Sequence, residues 1–184
     1  GLGCPAFSTT STVTISTPPT GTLSYAGTPF CTSLSAPQAV TFVGTSGGTY
    51  SSTAGLTINP TTGAITPSAS TPGSYVVTYT IAAANGCPIF TATTSVQINA
   101  LPTASIAYAG SPFCGNLNTN QSVTLTGTSG GVFSAPAGVS VDASTGTVLP
   151  ISSTPGTYTV TYTIPAANAC PQVTATTSVT ISTP

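Results

Sequence analysis

Apolar and polar residues alternate along several short stretches of the chain, the pattern of strands with one buried face. The longest stretch places Tyr75, Val77, Tyr79 and Ile81 on one face and mostly hydroxyl residues on the other. A period of two predicts a half-buried strand. Further strands of this kind are predicted from four more apolar sets: Val40 with Phe42, Leu56 with Ile58, Phe90 with Ala92, Val96 and Ile98, and Tyr158 with Val160, Tyr162 and Ile164.

The whole pattern recurs after 83 residues. Residues 18–100 align on 101–183 without a gap and with 45 identities, and residues 1–17 match 84–100. Self-similarity at a fixed period is the signature of a repeat architecture. We therefore predict the last strand of a preceding repeat at 1–17, one repeat at 18–100 and another at 101–184. The chain is expected to be a window from a longer array.

Six or seven short strands per unit predict an all-β fold of tandem immunoglobulin-like β-sandwich repeats of about 83 residues. Turn chemistry supports the strand boundaries. Asn59 with Gly63, and Asp142 with Gly146, open and close one turn in each copy. A sandwich this small buries a limited core, so we expect disulfides to staple it.

Tyr75 and Tyr158 each stand near the start of the long strand that precedes the last strand of the repeat. Each follows a Pro-Gly pair and comes two residues before an inward apolar position. In immunoglobulin-like domains this is the tyrosine-corner position, where the hydroxyl returns to nearby backbone. We predict that role for both residues. The alternative is a tyrosine that merely fills the sheet.

Composition removes most catalytic chemistry. The chain has 40 Thr, 24 Ser and 19 Gly, but no Lys, Arg or His, and Asp142 is its only carboxylate side chain. Hence there is no neutral-pH imidazole base, no amine for a Schiff base and no guanidinium to hold a phosphate. We predict no enzyme, no catalytic residue and no cofactor. Without cations to neutralise phosphates, no nucleic-acid partner is expected.

Two further absences shape the expected setting. The sequence contains no run of 18 apolar residues, so no membrane insertion is expected in this segment. Asp142 alone does not supply the several carboxylates that calcium prefers, and Asn59 replaces it in the other repeat, so an Asx turn is preferred and no metal site is predicted.

Two cysteines per repeat, in a chain without histidine, favour disulfides over zinc ligation and imply an oxidising compartment. The preferred pairing lies within each repeat, Cys31–Cys87 and Cys114–Cys170. Cys4 is then expected to find its partner upstream. The topology raises a difficulty, because Cys31 and Cys87 should lie at opposite poles of an immunoglobulin-like unit. A bond between neighbours, Cys31 to Cys170, is therefore the alternative, and free buried thiols are a third.

Threonines form a ladder at positions 159, 161 and 163, on the face opposite the apolar side chains. Three interpretations remain open. The first is a neutral solvated face. The second is a surface that binds ice or a crystalline sugar, which would need flat Thr arrays across several strands. The third is packing between chains in a fibre, since strand edges without charged gatekeepers must be covered or used.

Several motifs resemble the immunoglobulin-like repeats of giant cell-surface adhesins of Bacteroidota, including the SprB-like gliding adhesins. Residues 25–31 read Tyr-Ala-Gly-Thr-Pro-Phe-Cys, 44–48 Gly-Thr-Ser-Gly-Gly and 70–75 Ser-Thr-Pro-Gly-Ser-Tyr, and each recurs in closely related form in the second copy. The resemblance implies export by a type IX system and attachment to the outer membrane through a region not present here. It also implies a long stalk or mobile filament.

The sequence thus predicts a mechanical, extracellular role. The expected partners are neighbouring repeats of the same long chain and other copies in a fibre, with any glycan or surface ligand unidentified. Two alternatives stay open. Residues 1–17 could be a strand donated to another chain in a self-assembling filament. The threonine faces could instead make the chain a glycan-binding or ice-binding module.

Overall fold

The computed structural model describes residues 3–184, which fold into two β-sandwich repeats. Each repeat contains six strands and one 3₁₀ turn. In the first repeat they are β1 (Gly21–Ser24), β2 (Phe30–Cys31), β3 (Thr41–Gly44), β4 (Thr49–Ser52), the turn Pro67–Ala69, β5 (Gly73–Ile81) and β6 (Phe90–Asn99). In the second they are β7 (Ala104–Ala107), β8 (Phe113–Cys114), β9 (Thr124–Gly127), β10 (Val132–Ser134), the turn Pro150–Ser152, β11 (Gly156–Ile164) and β12 (Val173–Ser182).

Two sheets face each other in each repeat. One pairs β1 with β3, and the other has the order β2-β6-β5-β4; the second repeat reproduces both, as β7-β9 and β8-β12-β11-β10. The long hairpin β5–β6 is antiparallel, with Tyr75 opposite Val96. Phe42 of β3 meets Tyr79 of β5 at a ring-centroid distance of 4.3 Å, which joins the two sheets through the core. The all-β sandwich prediction is confirmed.

Each repeat has a core of its own. In the first, Ile65 and Val77 are fully buried, as are their counterparts Val148 and Val160 in the second. The two clusters of buried residues share no member. Because the apolar faces of β5 and β6 point inward at alternate positions, the period-two pattern of the sequence is the direct cause of this packing.

The first strand of each repeat is divided between the two sheets. β1 pairs with β3, whereas β2 crosses to the other sheet and pairs in parallel with the end of β6, Phe30 opposite Ile98 and Cys31 opposite Asn99. A cis Thr28–Pro29 peptide bond lies in the crossing. This crossing carries Cys31 to the end of the repeat where β6 finishes, and β8 does the same for Cys114 beside β12.

Two predicted strands do not form. Near Leu56 the structure has only an isolated bridge between Ile58 and Ile65. Within the predicted strand at 1–17, residues 3–17 form no strand, and the first two residues lie outside the described part of the chain. The side chains that match the inward-facing Phe90, Val96 and Ile98 of β6 are exposed there; they are Phe7 (90%), Val13 (82%) and Ile15 (92%).

Candidate functional site at the junction of the repeats

A disulfide joins the two repeats. Cys31, at the end of β2, is bonded to Cys170, in the turn before β12, with 4.9 Å between their Cα atoms. Both side chains are buried, at 2% and 4% exposure. The preferred pairing within each repeat is therefore wrong, and the alternative between neighbours is the one that the structure shows.

The topology explains why Cys31 does not bond to Cys87. Cys31 lies opposite Asn99 at the far end of β6, whereas Cys87 precedes Phe90 at the near end of the same strand. A strand of 10 residues is roughly 30 Å long, and a disulfide allows no more than about 7 Å between Cα atoms. The sequence already indicates that Cys31 and Cys87 lie at opposite poles of the repeat. The crossing of β2 into the other sheet determines which pole carries Cys31.

Hydrogen bonds around the disulfide fix the linker between the repeats. The Thr32 N–H donates to the Asn99 carbonyl at 2.9 Å, and the Leu101 N–H donates to the Thr32 hydroxyl at 2.9 Å. The Asn99 side-chain amide donates across the junction to the Asn168 carbonyl at 2.8 Å. The junction is thus held by a covalent bond, a paired linker and a direct contact between repeats.

The space beside the disulfide is lined mostly by small side chains. Ser33 and Leu34 of the first repeat face the turn of the second, which contributes Ala166, Ala167, Ala169, Cys170 and Pro171. Among the described residues 3–184, no charged side chain lines this space. Small residues let the two ends approach closely enough for the sulfur atoms to bond.

The remaining cysteines are unpaired within residues 3–184. Cys4 and Cys114 are exposed, and Cys87 is partly buried. Cys87 Sγ lies 3.8 Å from the Thr17 carbonyl oxygen, and Cys170 Sγ lies 3.3 Å from the Ala100 carbonyl oxygen, which is the equivalent atom in the next repeat.

Tyr75 and Tyr158 return their hydroxyls to the backbone. The Tyr75 O–H donates to the Thr71 carbonyl at 2.7 Å and accepts from the Thr71 hydroxyl at 2.6 Å. Tyr158 makes the same pair of bonds to Thr154, at 2.9 Å and 2.6 Å. Gly55 packs on the Tyr75 ring with a φ of +106°, and an added Cβ would lie 2.7 Å from the Tyr75 hydroxyl. The geometry is that of a tyrosine corner.

Asp142 opens a turn. One of its carboxylate oxygens accepts the Ser144 N–H at 2.9 Å, the Thr145 N–H at 2.7 Å and the Thr145 hydroxyl. Asn59 accepts two N–H groups in the same way in the first repeat. The hydrogen bonds from the Thr145 N–H and hydroxyl, followed by that from the Ser144 N–H, lower the pKa of the Asp142 carboxyl. Asp142 therefore stabilises the turn through its hydrogen bonds, as the sequence predicts.

Hydroxyl side chains cover the outer face of the four-stranded sheet in the second repeat. Thr161 and Thr163 of β11 lie opposite Thr176 and Thr174 of β12. On the other side, Ser134 of β10 lies opposite Thr161, whereas the exposed Val132 lies opposite Thr163. The ladder seen in the sequence is therefore part of an array across three adjacent strands. The tyrosines and valines of β11 occupy the opposite, inner face.

No group of three or more His, Cys, Asp or Glu side chains that could share a metal ion occurs within residues 3–184. In the same residues, no helix has the length and apolar character needed to cross a membrane.

No protein-family model matches the chain. No curated protein matches it either. Among solved structures it is similar to the crystal structure of Drosophila N-cadherin EC1-4, with 9% sequence identity, 89% of this chain and 51% of that chain covered, and a TM-score of 0.34. It is also similar to Sidekick-1 immunoglobulin domains 1-5, with 11% identity, 88% of this chain and 40% of that chain covered, and a TM-score of 0.28. The chain thus spans about half the length of the first of these structures and less of the second.

Proposed function

We propose that the chain is part of the structural repeat region, a stalk or filament, of a long extracellular cell-surface adhesin. One observation carries the proposal: two sandwiches with separate cores are joined end to end by a buried disulfide, Cys31–Cys170. A linear series of such units adds length, and a covalent junction transmits tension from one unit to the next. A disulfide of this kind persists in oxidising surroundings outside the cytoplasm.

The surface chemistry fits the same role. With one carboxylate and no cationic side chain, the chain has little to attract charged ligands, nucleic acid or a substrate that needs acid–base chemistry. We therefore propose a non-enzymatic protein without cofactors, whose partners are neighbouring repeats. The motif resemblance given above extends the proposal to the mobile gliding adhesins of Bacteroidota, exported by a type IX system and attached to the outer membrane.

The test is to locate the chain on intact cells of the organism that makes it. Antibodies against residues 18–184 should label extended structures outside the cell in electron micrographs, and removal of repeats should shorten them in proportion. Chymotrypsin added to intact cells should remove the label, whereas a cytoplasmic marker protein should survive. Label found only after lysis, or structures of unchanged length after repeat removal, would refute the proposal.

The hydroxyl array favours a second candidate, a module that binds ice or a crystalline polysaccharide. The hydroxyls of Ser134, Thr161 and Thr176 lie side by side on three neighbouring strands, and strands repeat about every 4.8 Å, so they provide a row of regularly spaced hydroxyls for such binding. Replacing Thr161 and Thr176 with Lys would interrupt the array at its centre. A replacement at Thr126, an exposed residue on β9 of the other sheet, is the matched control. Loss of adsorption only in the first variant, at equal stability, would support this candidate.

A further inference from the structure

We propose that Cys114 and Cys87 are the two halves of a second junction of the same kind. Cys114 of one copy of the chain would form a disulfide with Cys87 of a second copy, so that copies join head to tail into a fibre. The inference concerns the ends of the two-repeat unit. In a longer array the same geometry joins each of these cysteines to a neighbouring repeat of one chain. The inference rests on the equivalence of these ends with the junction already formed and not on the adhesive role.

The end of the second repeat reproduces the end of the first. Cys114 lies opposite Ser182 in parallel strands, as Cys31 lies opposite Asn99. At both ends the residue after the cysteine donates its N–H to the carbonyl of that facing residue at 2.9 Å. The two cysteines differ in solvent exposure. Cys31 is buried beneath the next repeat, at 2% exposure, whereas Cys114 is exposed.

The turn around Cys87 reproduces the turn around Cys170. Ala84 and Cys87 exchange two backbone hydrogen bonds of 3.2 and 2.9 Å, and Ala167 and Cys170 exchange two of 3.1 and 2.8 Å. The asparagine between them has a positive φ in both repeats, 50° at position 85 and 52° at position 168. The Cys87 thiol is therefore held on the same kind of turn as the sulfur that is already bonded to Cys31.

A groove adjoins Cys87, and Ala84, Asn85 and Pro88 of the repeat line it. Ser16 and Thr17 of the preceding segment also line it, and a docking copy would displace them. The equivalent surface of the second repeat, around Ala167 and Pro171, is the one that meets the first repeat at the existing junction. The occupant that fits this groove is therefore the Cys114 end of another copy. Because the two surfaces differ, the contact is heterologous, and its end-to-end repetition extends an open fibre unless the rotation between copies closes a ring.

One contact of the existing junction is not reproduced. Asn99, whose side chain donates across the junction, is replaced by Ser182, whose hydroxyl donates to the Phe113 carbonyl of its own repeat at 3.2 Å. The shorter side chain leaves the disulfide as the main link between copies. Association before the bond forms should accordingly be weak, and the fibre should dissociate on reduction.

Disulfide formation needs an oxidant, and a small disulfide such as oxidised glutathione supplies it. The Cys114 thiolate attacks one glutathione sulfur, breaks the glutathione disulfide and releases one glutathione thiolate. The Cys87 thiolate of the second copy then attacks the Cys114 sulfur of this mixed disulfide and displaces the second glutathione thiolate. The two electrons lost by the protein thiols end on two glutathione molecules, each of which takes up one proton.

The segment before the first repeat competes for the same place. The Thr17 carbonyl lies beside Cys87, where the junction would put the end of the first copy's last strand. The described residues 3–15 are exposed and form no strand, so the segment can leave without opening the core. Shortening the chain to residues 18–184 should therefore speed the coupling of copies.

The test uses the full chain with Cys4→Ser, which removes the other exposed thiol. Concentrated protein is incubated with oxidised glutathione and resolved on non-reducing gels. We expect a ladder of dimers, trimers and longer species that collapses on reduction, with Cys114–Cys87 as the linking peptide in mass spectrometry. Coupling should be about tenfold faster than in Cys4→Ser/Cys87→Ser or Cys4→Ser/Cys114→Ser, which lack one half of the oriented pair.

Other outcomes overturn the inference. Dimers that form at the same rate in the variants with one remaining thiol would show random collision of thiols. A Cys114–Cys114 linkage, or a chain that stays monomeric with or without residues 1–17, would show that the two ends do not match. Fibres that persist in both variants and withstand reduction would indicate strand donation by residues 1–17 in place of disulfide coupling.

Discussion

Cys31 and Cys170 are 139 positions apart in the chain, yet their Cα atoms lie only 4.9 Å apart. The bond between them therefore encloses most of both sandwiches in one covalent loop. A force applied at the two chain ends passes from residue 31 to residue 170 through the sulfur atoms. The backbone between these residues carries load only when the disulfide is open.

Single-molecule pulling should reveal this loop. With the disulfide intact, unfolding of the sandwiches should add little length, because residues 32–169 lie outside the loaded path and only residues 21–31 and 170–182 of the fold lie within it. After reduction, the same residues should add about 470 Å of contour length at about 3.4 Å per residue. The measurement is the total contour gain with and without a reducing agent, with Cys31→Ser/Cys170→Ser as the control that should behave as reduced at all times.

Pairing within each repeat would give a different result. A bond between cysteines 56 positions apart would hide about 190 Å in each repeat, and unfolding of the oxidised chain would still release the remaining loops. A gain on reduction of about 190 Å for each of two loops, instead of about 470 Å in all, would contradict the junction disulfide.

The Tyr75 hydroxyl should contribute to the stability of the first repeat. Tyr75→Phe removes its bond to the Thr71 carbonyl, so we expect a loss of about 1 kcal/mol and a melting temperature lower by roughly 4–8 °C. Tyr158→Phe should cost less, because Tyr158 is more exposed than Tyr75 and water replaces its bond more easily. Thermal unfolding monitored by circular dichroism would measure both changes.

Tyr50→Phe is the matched control for the ring. Tyr50 lies in the same core, and among residues 3–184 its hydroxyl makes no hydrogen bond in the structure. The substitution should therefore leave the melting temperature nearly unchanged. An equal loss in Tyr50→Phe and Tyr75→Phe would mean that removal of any tyrosine hydroxyl destabilises the fold, and that the corner has no special role.

Local patterns in the sequence were sufficient to predict the sandwich, the turns and the positions of both tyrosines. The alternation through Tyr75, Val77 and Tyr79 reports which face is buried, because side chains of a strand alternate between its faces. The hydrogen bonds of each turn can be predicted from the local sequence, because Asn59 and Asp142 accept from N–H groups only two and three residues away.

Non-local features required the structure. The crossing of β2 to the second sheet depends on pairing between Phe30 and Ile98, residues far apart in the sequence, and no periodicity records that choice. The disulfide follows from the crossing, since the crossing of β2 determines which pole of the repeat carries Cys31. Residues 3–17 match β6 in sequence but form no strand, because a strand needs a partner edge and β6 has its partner strands within its own repeat.

Asp142→Asn should remove the acid sensitivity of the turn without weakening it at neutral pH. Hydrogen bonds lower the carboxyl pKa in the folded state, so this contribution to stability is present above the ordinary value of 3.8 and is lost as pH falls through the lowered folded value. Asparagine keeps the acceptor oxygen, as Asn59 does in the first repeat. Melting temperatures from pH 7 to pH 2 would show the natural chain falling on the acid side relative to the variant.

Asp142→Ala is the control for the turn itself. It removes the acceptor at every pH, so its melting temperature should lie below that of the Asn variant across the whole range. If the Asn and Ala variants melt together, the hydrogen bonds to Ser144 and Thr145 do not stabilise the turn. An unfolding curve of the natural chain that is identical to that of the Asn variant below pH 4 would contradict the lowered pKa.

Alkali should unfold the chain through two buried tyrosines, one in each repeat. Burial raises the pKa of Tyr108 to about 12, and burial followed by the nearby Tyr50 raises the pKa of Tyr25 as well. Both hydroxyls donate to a carbonyl, of Gly146 and Gly63 respectively.

Because the unfolded state ionises near pH 10, the contribution of these tyrosines to stability is complete below that pH and is lost as pH rises towards the folded value. The melting temperature should therefore drop steeply between pH 10 and about pH 12. Tyr25→Phe/Tyr108→Phe should lower the free energy of unfolding at neutral pH by about 1 kcal/mol per lost hydrogen bond, and it should flatten the alkaline drop in melting temperature. Free thiols are alkylated beforehand so that disulfide exchange does not contribute. An alkaline drop of the same steepness in the double variant would show that other groups cause it.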